Sequence, residues 1–339
     1  MIYKILKKLK GSFFIKKKYF IIILFVLFFI LISIKSNNLF TSHNYTKEYT
    51  NCKIEKSKNM IGNITYSDEF KKINKCYISP DNLNIKIIHL IITRFMIEYW
   101  KADDFPRKMY NKDYILNGIR VMKKYLFPSL EKQSCKDFIW ILMLGDNANI
   151  SYVESLFNFN IPFEYRIIYK HSIKNYVKNV TKGFDVLITT RIDYDDRIYY
   201  DAINDVRKAI NLYKPMLLYG YNRGVHYYEA DGKYYDFYRN YTNEGVMSIF
   251  VSLIIVLNKV NDTYIVYDMG RHPIIKKTLI EKYKSFGIKE LNYDPANFDS
   301  GEAKFVWVRQ NYSGAYYHSK FIKQYLKIYN FNLTKFYGN

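Results

Sequence analysis

Cysteine is scarce in this 339-residue chain: Cys52, Cys76 and Cys135 are the only three. No Cys-x-x-Cys pair and no Cys/His cluster occurs, which excludes a structural zinc site of the usual kind. Cys52 and Cys76 both precede the expected core and could pair in an oxidising compartment, with three free thiols as the alternative. Acidic residues are the minority charge, 31 against 52 basic, so the net charge is +21 and anionic partners are favoured. Beyond the N-terminal segment the lysines are scattered rather than gathered on one element, which argues against nucleic acid as the partner. No internal repeat is visible. Long apolar runs are also rare, and the one that reads as a membrane segment lies at the N-terminus.

That run is YFIIILFVLFFILISI, residues 19–34, charge-free and preceded by Lys4, Lys7, Lys8, Lys10, Lys16, Lys17 and Lys18. Each central Ile, Leu, Phe or Val favours insertion by roughly 0.3–0.6 kcal/mol. Flanking lysines can snorkel where the span is short. No small-x-small cleavage site follows, so an anchor is expected rather than a removed signal peptide. The positive-inside rule then puts the N-terminus in the cytoplasm and the bulk of the chain across the membrane, a single-pass type II arrangement. The expected organisation is a basic cytoplasmic tail over 1–18, a transmembrane anchor over 19–35, a polar stem or linker over 36–84, and a globular domain over 85–339.

With 49% hydrophobic and 19% aromatic residues, most of the chain has the means to build a core. IKIIHLIIT (85–93) reads as a strand buried on both faces, and a helix is expected near Tyr114–Leu126, ending before Pro128. DFIWILMLG (137–145) reads as a second strand, followed by a short helix to Phe157 that Ser151 would cap. FEYRIIYK (163–170) and FDVLITTRI (184–192) read as the third and fourth strands, 198–210 as helix, and PMLLYGY (215–221) as strand. VHYYEADGKYYDF (225–237) alternates around Asp231-Gly232 as a hairpin does. VMSIFVSLIIVLN (246–258) reads as a buried helix, WVR (307–309) as a strand, and 318–330 as mixed helical spacing. Strands alternating with helices imply an α/β fold with a mainly parallel sheet, whose ligands sit beyond the carboxyl ends of the strands.

The fourth strand runs into TTRIDYDDR, residues 189–197. Carboxylates crowded as Asp193, Asp195 and Asp196 are raise one another's pKa unless a cation neutralises them. A hard divalent ion, Mn2+ or Mg2+, held by one or two carboxylates and by substrate phosphates, suits them. Arg191 and Arg197 could meet phosphate or ribose. The plainer alternative is an acidic turn whose arginines form surface ion pairs worth little.

At these residues the chain resembles a GT-A type glycosyltransferase, in particular the rhamnosyltransferase family. The likeness is carried by HLIITRF (89–95), LFPSLEKQS (126–134), DFIWILMLG, TTRIDYDD and FVWVRQNYS (305–313). The resemblance implies a Rossmann-like, GT-A-like sheet with flanking helices. It implies a metal pair in Asp193 and Asp195, with Asp196 orienting sugar or ribose. It also implies phosphate contacts from Arg94 and Arg191, with Thr93 at the nucleotide edge. Gln310 stands where the family usually has His, and the family's bacterial members are typically soluble, whereas an anchor is expected here.

An inverting transfer needs a carboxylate base for the acceptor hydroxyl. Asp268 and Glu244 lie suitably downstream, and spacing does not choose between them. His272 and His318 are candidate metal or phosphate contacts, against the commoner reading of structural histidines. The expected activity is a membrane-anchored, metal-dependent transfer of a sugar, rhamnose among the candidates, from a nucleotide sugar to a glycan or lipid-linked acceptor. A metal-dependent phosphoryl hydrolase, with an Asp after a strand as nucleophile, is the alternative enzyme. Its further lysine and acidic motifs are not found. A non-enzymatic basic membrane-surface protein is the third reading.

Overall fold

The structure, a computed structural model, describes residues 76–77, 84–97, 110–158, 160–238, 250–269, 275–288, 291, 294, 296–299, 303–309 and 328–338. The basic tail, the apolar run 19–34, the stem up to residue 75, Cys52, Glu244, His272, Gln310 and His318 lie outside them. Among the described residues no helix is long and apolar enough to cross a membrane.

Strand β1 (Ile87–Phe95) is apolar on both faces because both are covered. Helix α1 (Lys112–Lys124) buries Ile115, Gly118, Ile119 and Met122, one stripe at helical spacing. Its N-terminus is capped by the Asn111 side chain, which accepts from the backbone N–H of Asp113. Gly118 is where α1 meets β1: a Cβ there would lie 2.4 Å from the Phe95 ring, so only glycine allows this approach. Pro128 does not end helical structure. It sits in the first turn of α2 (Leu126–Glu131), where a backbone N–H has no intrahelical partner to lose. Strand β2 (Ile139–Leu144) leads to α3 (Ile150–Ser155). Its cap is Asn149, which accepts from the N–H of Tyr152, rather than the expected Ser151. Strand β3 (Glu164–Tyr169), helix α4 (Ile173–Val180) and strand β4 (Val186–Asp193) complete the first half.

The second half contains β5 (Arg197–Ile198), α5 (Ala202–Lys208), β6 (Met216–Tyr221), β7 (Arg223–Tyr228) and β8 (Lys233–Tyr238). It continues with β9 (Val251–Val256), α6 (Ile275–Ser285), β10 (Ala296–Asp299), β11 (Phe305–Arg309) and α7 (Leu333–Phe336). Seven strands form one sheet in the order β10-β6-β9-β4-β1-β2-β3. All neighbours are parallel except β9, which is antiparallel to both β4 and β6. The mixed α/β architecture is therefore as expected, but β9 corrects the helix expected over 246–258. Val251, Ile254, Ile255 and Val256 are β-branched, and all six residues of the strand are buried. An apolar run buried on every side has no periodicity that separates helix from central strand. The remaining strands make a four-stranded sheet, β5-β11-β7-β8, with the β7–β8 hairpin turning at Gly232 (φ +65°).

The large sheet has a core on each face. Ile91, Phe95, Trp140, Ile188 and Ile254 pack under α1 and α2 on one face. Leu90, Ile92, Leu187, Leu253 and Ile255 pack with Leu279 and Tyr283 of α6 on the other. Side chains alternate between the two along each strand, which is how β1 and β4 come to serve both. Cys76 is joined by a disulfide to the buried Cys135, not to Cys52. The backbone beside it is held too, since the N–H of Tyr77 donates to Asn204 Oδ1 at 2.7 Å.

Candidate active site

Strands β1 and β4 are parallel neighbours, and in their register Arg94 stands beside Asp193 at the carboxyl ends. The two side chains share a face and pair at 3.2 Å. Arg191, two residues back on β4, shares that face by alternation and is only 6% exposed. A 3₁₀ turn, Val266–Met269, closes over them. The turn is fixed to the sheet because the N–H of Val266 donates to Thr189 Oγ1 at 2.8 Å. It carries Tyr267, whose ring centroid lies 4.9 Å from Arg94 Cζ and 5.2 Å from Arg191 Cζ. The Tyr267 hydroxyl donates to the carbonyl of Ile92 at 3.2 Å. Among the described residues Arg191 makes no ion pair, and its Nε is buried without a hydrogen-bond partner. A charge taken out of water is costly unless an opposite charge meets it. Arg191 is therefore a buried positive charge that no carboxylate among the described residues meets.

The aspartates divide their work. The N–H of Asp196 donates to the carbonyl of Asp193 at 3.3 Å, closing a turn over Asp193, Tyr194, Asp195 and Asp196. Tyr194 meets Phe95 edge-on at 5.4 Å. The Tyr114 hydroxyl is pushed up by burial and by the charge of Asp195, against a hydrogen bond with Tyr194. Asp196 is fully buried, and its Oδ1 accepts from the backbone N–H of Val308 at 3.2 Å, tying the turn to β11 of the second sheet. Asp193 and Asp195 stay partly exposed.

No group of three His, Cys, Asp or Glu able to hold a metal occurs among the described residues. Two part-exposed carboxylates on one turn nevertheless fit a hard divalent ion that takes its other ligands from phosphate and water.

Thr93, expected at the nucleotide edge, is fully buried on the opposite face of β1 from Arg94, where its hydroxyl accepts from Trp140 Nε1 at 3.0 Å. Arg197 is 8% exposed and enclosed by tyrosines, its Cζ 4.7 Å from the Tyr125 ring and 5.9 Å from the Tyr227 ring. Asp268 follows Tyr267 in the same turn. Its Oδ2 accepts from the N–H of Ile265 at 3.0 Å, and its Oδ1 pairs with Lys174 of α4 at 3.0 Å. Sequence reasoning missed Tyr267 and Lys174. The signal for Tyr267 was its place directly before Asp268. At the ends of β2 and β3, Asp146 and His171 also pair, at 2.8 Å. Burial raises the Asp146 carboxyl, and hydrogen bonds from His171 outweigh this and hold it below its usual range.

Residues 89–251 match the model of the family described as "Putative rhamnosyl transferase". That span contains β1, β4 and the aspartate turn. The chain is a glycosyltransferase. No curated protein matches it. Among solved structures, the glycosyltransferase is similar to HddC from Yersinia pseudotuberculosis at 14% identity and a TM-score of 0.35, over 71% of this chain and 100% of that one. It is similar to a protein described as "putative nucleotide-diphospho-sugar transferase" from Desulfovibrio desulfuricans G20 at 12% identity and a TM-score of 0.32, over 71% and 98%. A third likeness is to Rv0371C from Mycobacterium tuberculosis H37Rv, in complex with manganese, at 11% identity and a TM-score of 0.27, over 69% and 97%.

Proposed function

We propose that this chain is a membrane-anchored, divalent-metal-dependent transferase that moves a sugar from a nucleotide sugar to a glycan or lipid-linked acceptor, with rhamnose the leading candidate sugar. The observation that carries the reading is the pair of arginines beside Asp193 at the carboxyl ends of β1 and β4, Arg191 buried and Arg94 part-buried. A diphosphate supplies the negative charge that Arg191 lacks among the described residues, and guanidinium groups grip its oxygens in a planar, paired fashion. Asp193 and Asp195 would hold the metal, Mn2+ or Mg2+, with the remaining ligands coming from the donor. When bound, that ion stabilises charge on the departing nucleoside diphosphate.

The chain's own residues supply the rest. Arg94 and Arg191 orient the diphosphate, and Asp196 keeps the turn in place through Val308. In an inverting transfer, Asp268 or Glu244 takes the proton of the acceptor hydroxyl as its oxygen attacks the sugar carbon and the bond to diphosphate breaks. Asp268 is held in place by Lys174, whose Nζ lies 3.0 Å from its Oδ1.

The anchor is proposed on the charge-free run 19–34 and its lysines. The Cys76–Cys135 disulfide supports a type II orientation, because disulfides persist where the compartment is oxidising. The deciding experiment titrates nucleoside diphosphates calorimetrically, with and without Mn2+, into wild type and Asp195→Asn. The reading expects metal-enhanced binding that the variant weakens. Metal-independent affinity of equal strength in both proteins would defeat it.

A further inference from the structure

Two guanidinium groups of the same charge lie against a single neutral ring. Arg94 and Arg191 come from different strands, and each has its Cζ within 5.2 Å of the Tyr267 centroid. Left to themselves, like charges on neighbouring strands swing apart toward solvent. Asp193 pairs with Arg94 at 3.2 Å, while Arg191 makes no ion pair among the described residues. An aromatic face attracts both cations while carrying no charge of its own. We propose that Tyr267 is a positioning residue for the donor diphosphate: it clamps Arg94 and Arg191 in one arrangement and adds no charge that would neutralise Arg191. The proposal rests on the nucleotide-sugar reading given above.

The anchoring of the ring supports this role. Its hydroxyl donates to the carbonyl of Ile92, so the ring is tied to β1 itself, two residues before Arg94. The turn that carries it is held to β4 through Val266 and Thr189, two residues before Arg191. Tyr267 is thus referenced to both strands whose arginines it touches. Its sequence neighbour Asp268 is held in the same turn by the N–H of Ile265 and by Lys174. A shift of the ring would therefore move a candidate base together with both arginines.

The test compares wild type, Tyr267→Phe and Tyr267→Leu, each titrated with a nucleoside diphosphate and with the corresponding nucleoside, in the presence of Mn2+. Loss of the ring in Tyr267→Leu should weaken diphosphate binding about tenfold and leave nucleoside binding within about twofold, while Tyr267→Phe keeps most of the affinity. A purely structural role would weaken both ligands alike or neither, and either result overturns the proposal. Failure of wild type itself to bind any nucleoside diphosphate would sink the underlying reading, and the proposal with it. Binding by wild type and Tyr267→Leu with equal affinity would sink the proposal alone. Should Tyr267→Leu fail to fold, a series of fluorinated phenylalanines at position 267 keeps the shape and weakens the attraction for cations. Diphosphate affinity that falls with each added fluorine supports the clamp, and constant affinity overturns it.

Discussion

Strands β1 and β4 bury polar side chains on both of their faces, and the two faces treat them in opposite ways. On one face His89 Nε2 meets Thr190 Oγ1 at 2.6 Å, Thr190 meets Ser252 Oγ at 2.6 Å, and Trp140 donates to Thr93. These groups are neutral and bonded mainly to one another, in a core closed by α1 and α2. On the other face, at the carboxyl end, Arg94 and Arg191 are held by a tyrosine ring, and Asp193 pairs with Arg94 alone. The first arrangement is a chain of neutral hydrogen bonds, with only His89 Nδ1 of these groups left buried without a partner, and it lends the centre of the sheet specificity. The second leaves charge to be met from outside. Burial of a polar group is thus not by itself the mark of a site. Burial of uncompensated charge at the end of a parallel sheet is the stronger sign.

Substitution should separate the two faces. The largest effect is expected at the turn. Asp195→Asn should lower turnover about 100-fold or more, the scale on which a lost electrostatic contact in the transition state is felt, with little change in thermal midpoint. Steady-state kinetics beside a melting curve reads both quantities. Next comes Arg191→Met, which removes a buried charge and keeps the length of the side chain. Nucleoside diphosphate affinity should fall about 10- to 100-fold, while stability holds or rises, because a desolvated cation has been replaced by an apolar group. A variant that binds normally and melts lower would erase the distinction between the faces. The opposite pattern is expected of Thr190→Val, which leaves His89 and Ser252 each without the hydroxyl they share. Stability should fall by about 1–3 kcal/mol, and diphosphate affinity should not change. Denaturant titration with and without nucleotide would show whether the loss is confined to the fold.

What the sequence made legible follows from range. Strands β1 to β4 announce themselves because each is a short apolar run followed by turn residues or a helix. Their carboxyl ends then locate the site at TTRIDYDD with no further knowledge. The division of labour among the three aspartates was not legible. Asp196 is made structural by a backbone N–H 112 residues away, and nothing near it in the chain reveals that. Tyr267 reaches Ile92 across 175 residues, so its partnership with the arginines emerges only once the 3₁₀ turn is folded onto the sheet. Strand β9 was misread for a different reason: a strand inserted antiparallel between β4 and β6 and buried on both faces has no alternation to show.

The smallest expected effect concerns His89 and depends on pH. Burial, and after it the charge of Arg207, hold its imidazole pKa well below the usual value near 6.5. In the folded chain it is therefore neutral, with Nε2 at the Thr190 hydroxyl. In the unfolded chain it takes up a proton as pH falls through about 6.5, so over that window the unfolded state binds more protons than the folded one. Stability contributed by the neutral ring is complete above about pH 7 and declines as the medium is acidified. The slope from this one group is at most about 1.4 kcal/mol per pH unit. His89→Gln keeps an amide able to bond Thr190 and removes the titration. Urea midpoints measured between about pH 7 and pH 5 should therefore fall more steeply in wild type than in the variant. Parallel decline in both would mean that the proton is taken up elsewhere, and that the closed face of the sheet is indifferent to the ionisation of its own histidine.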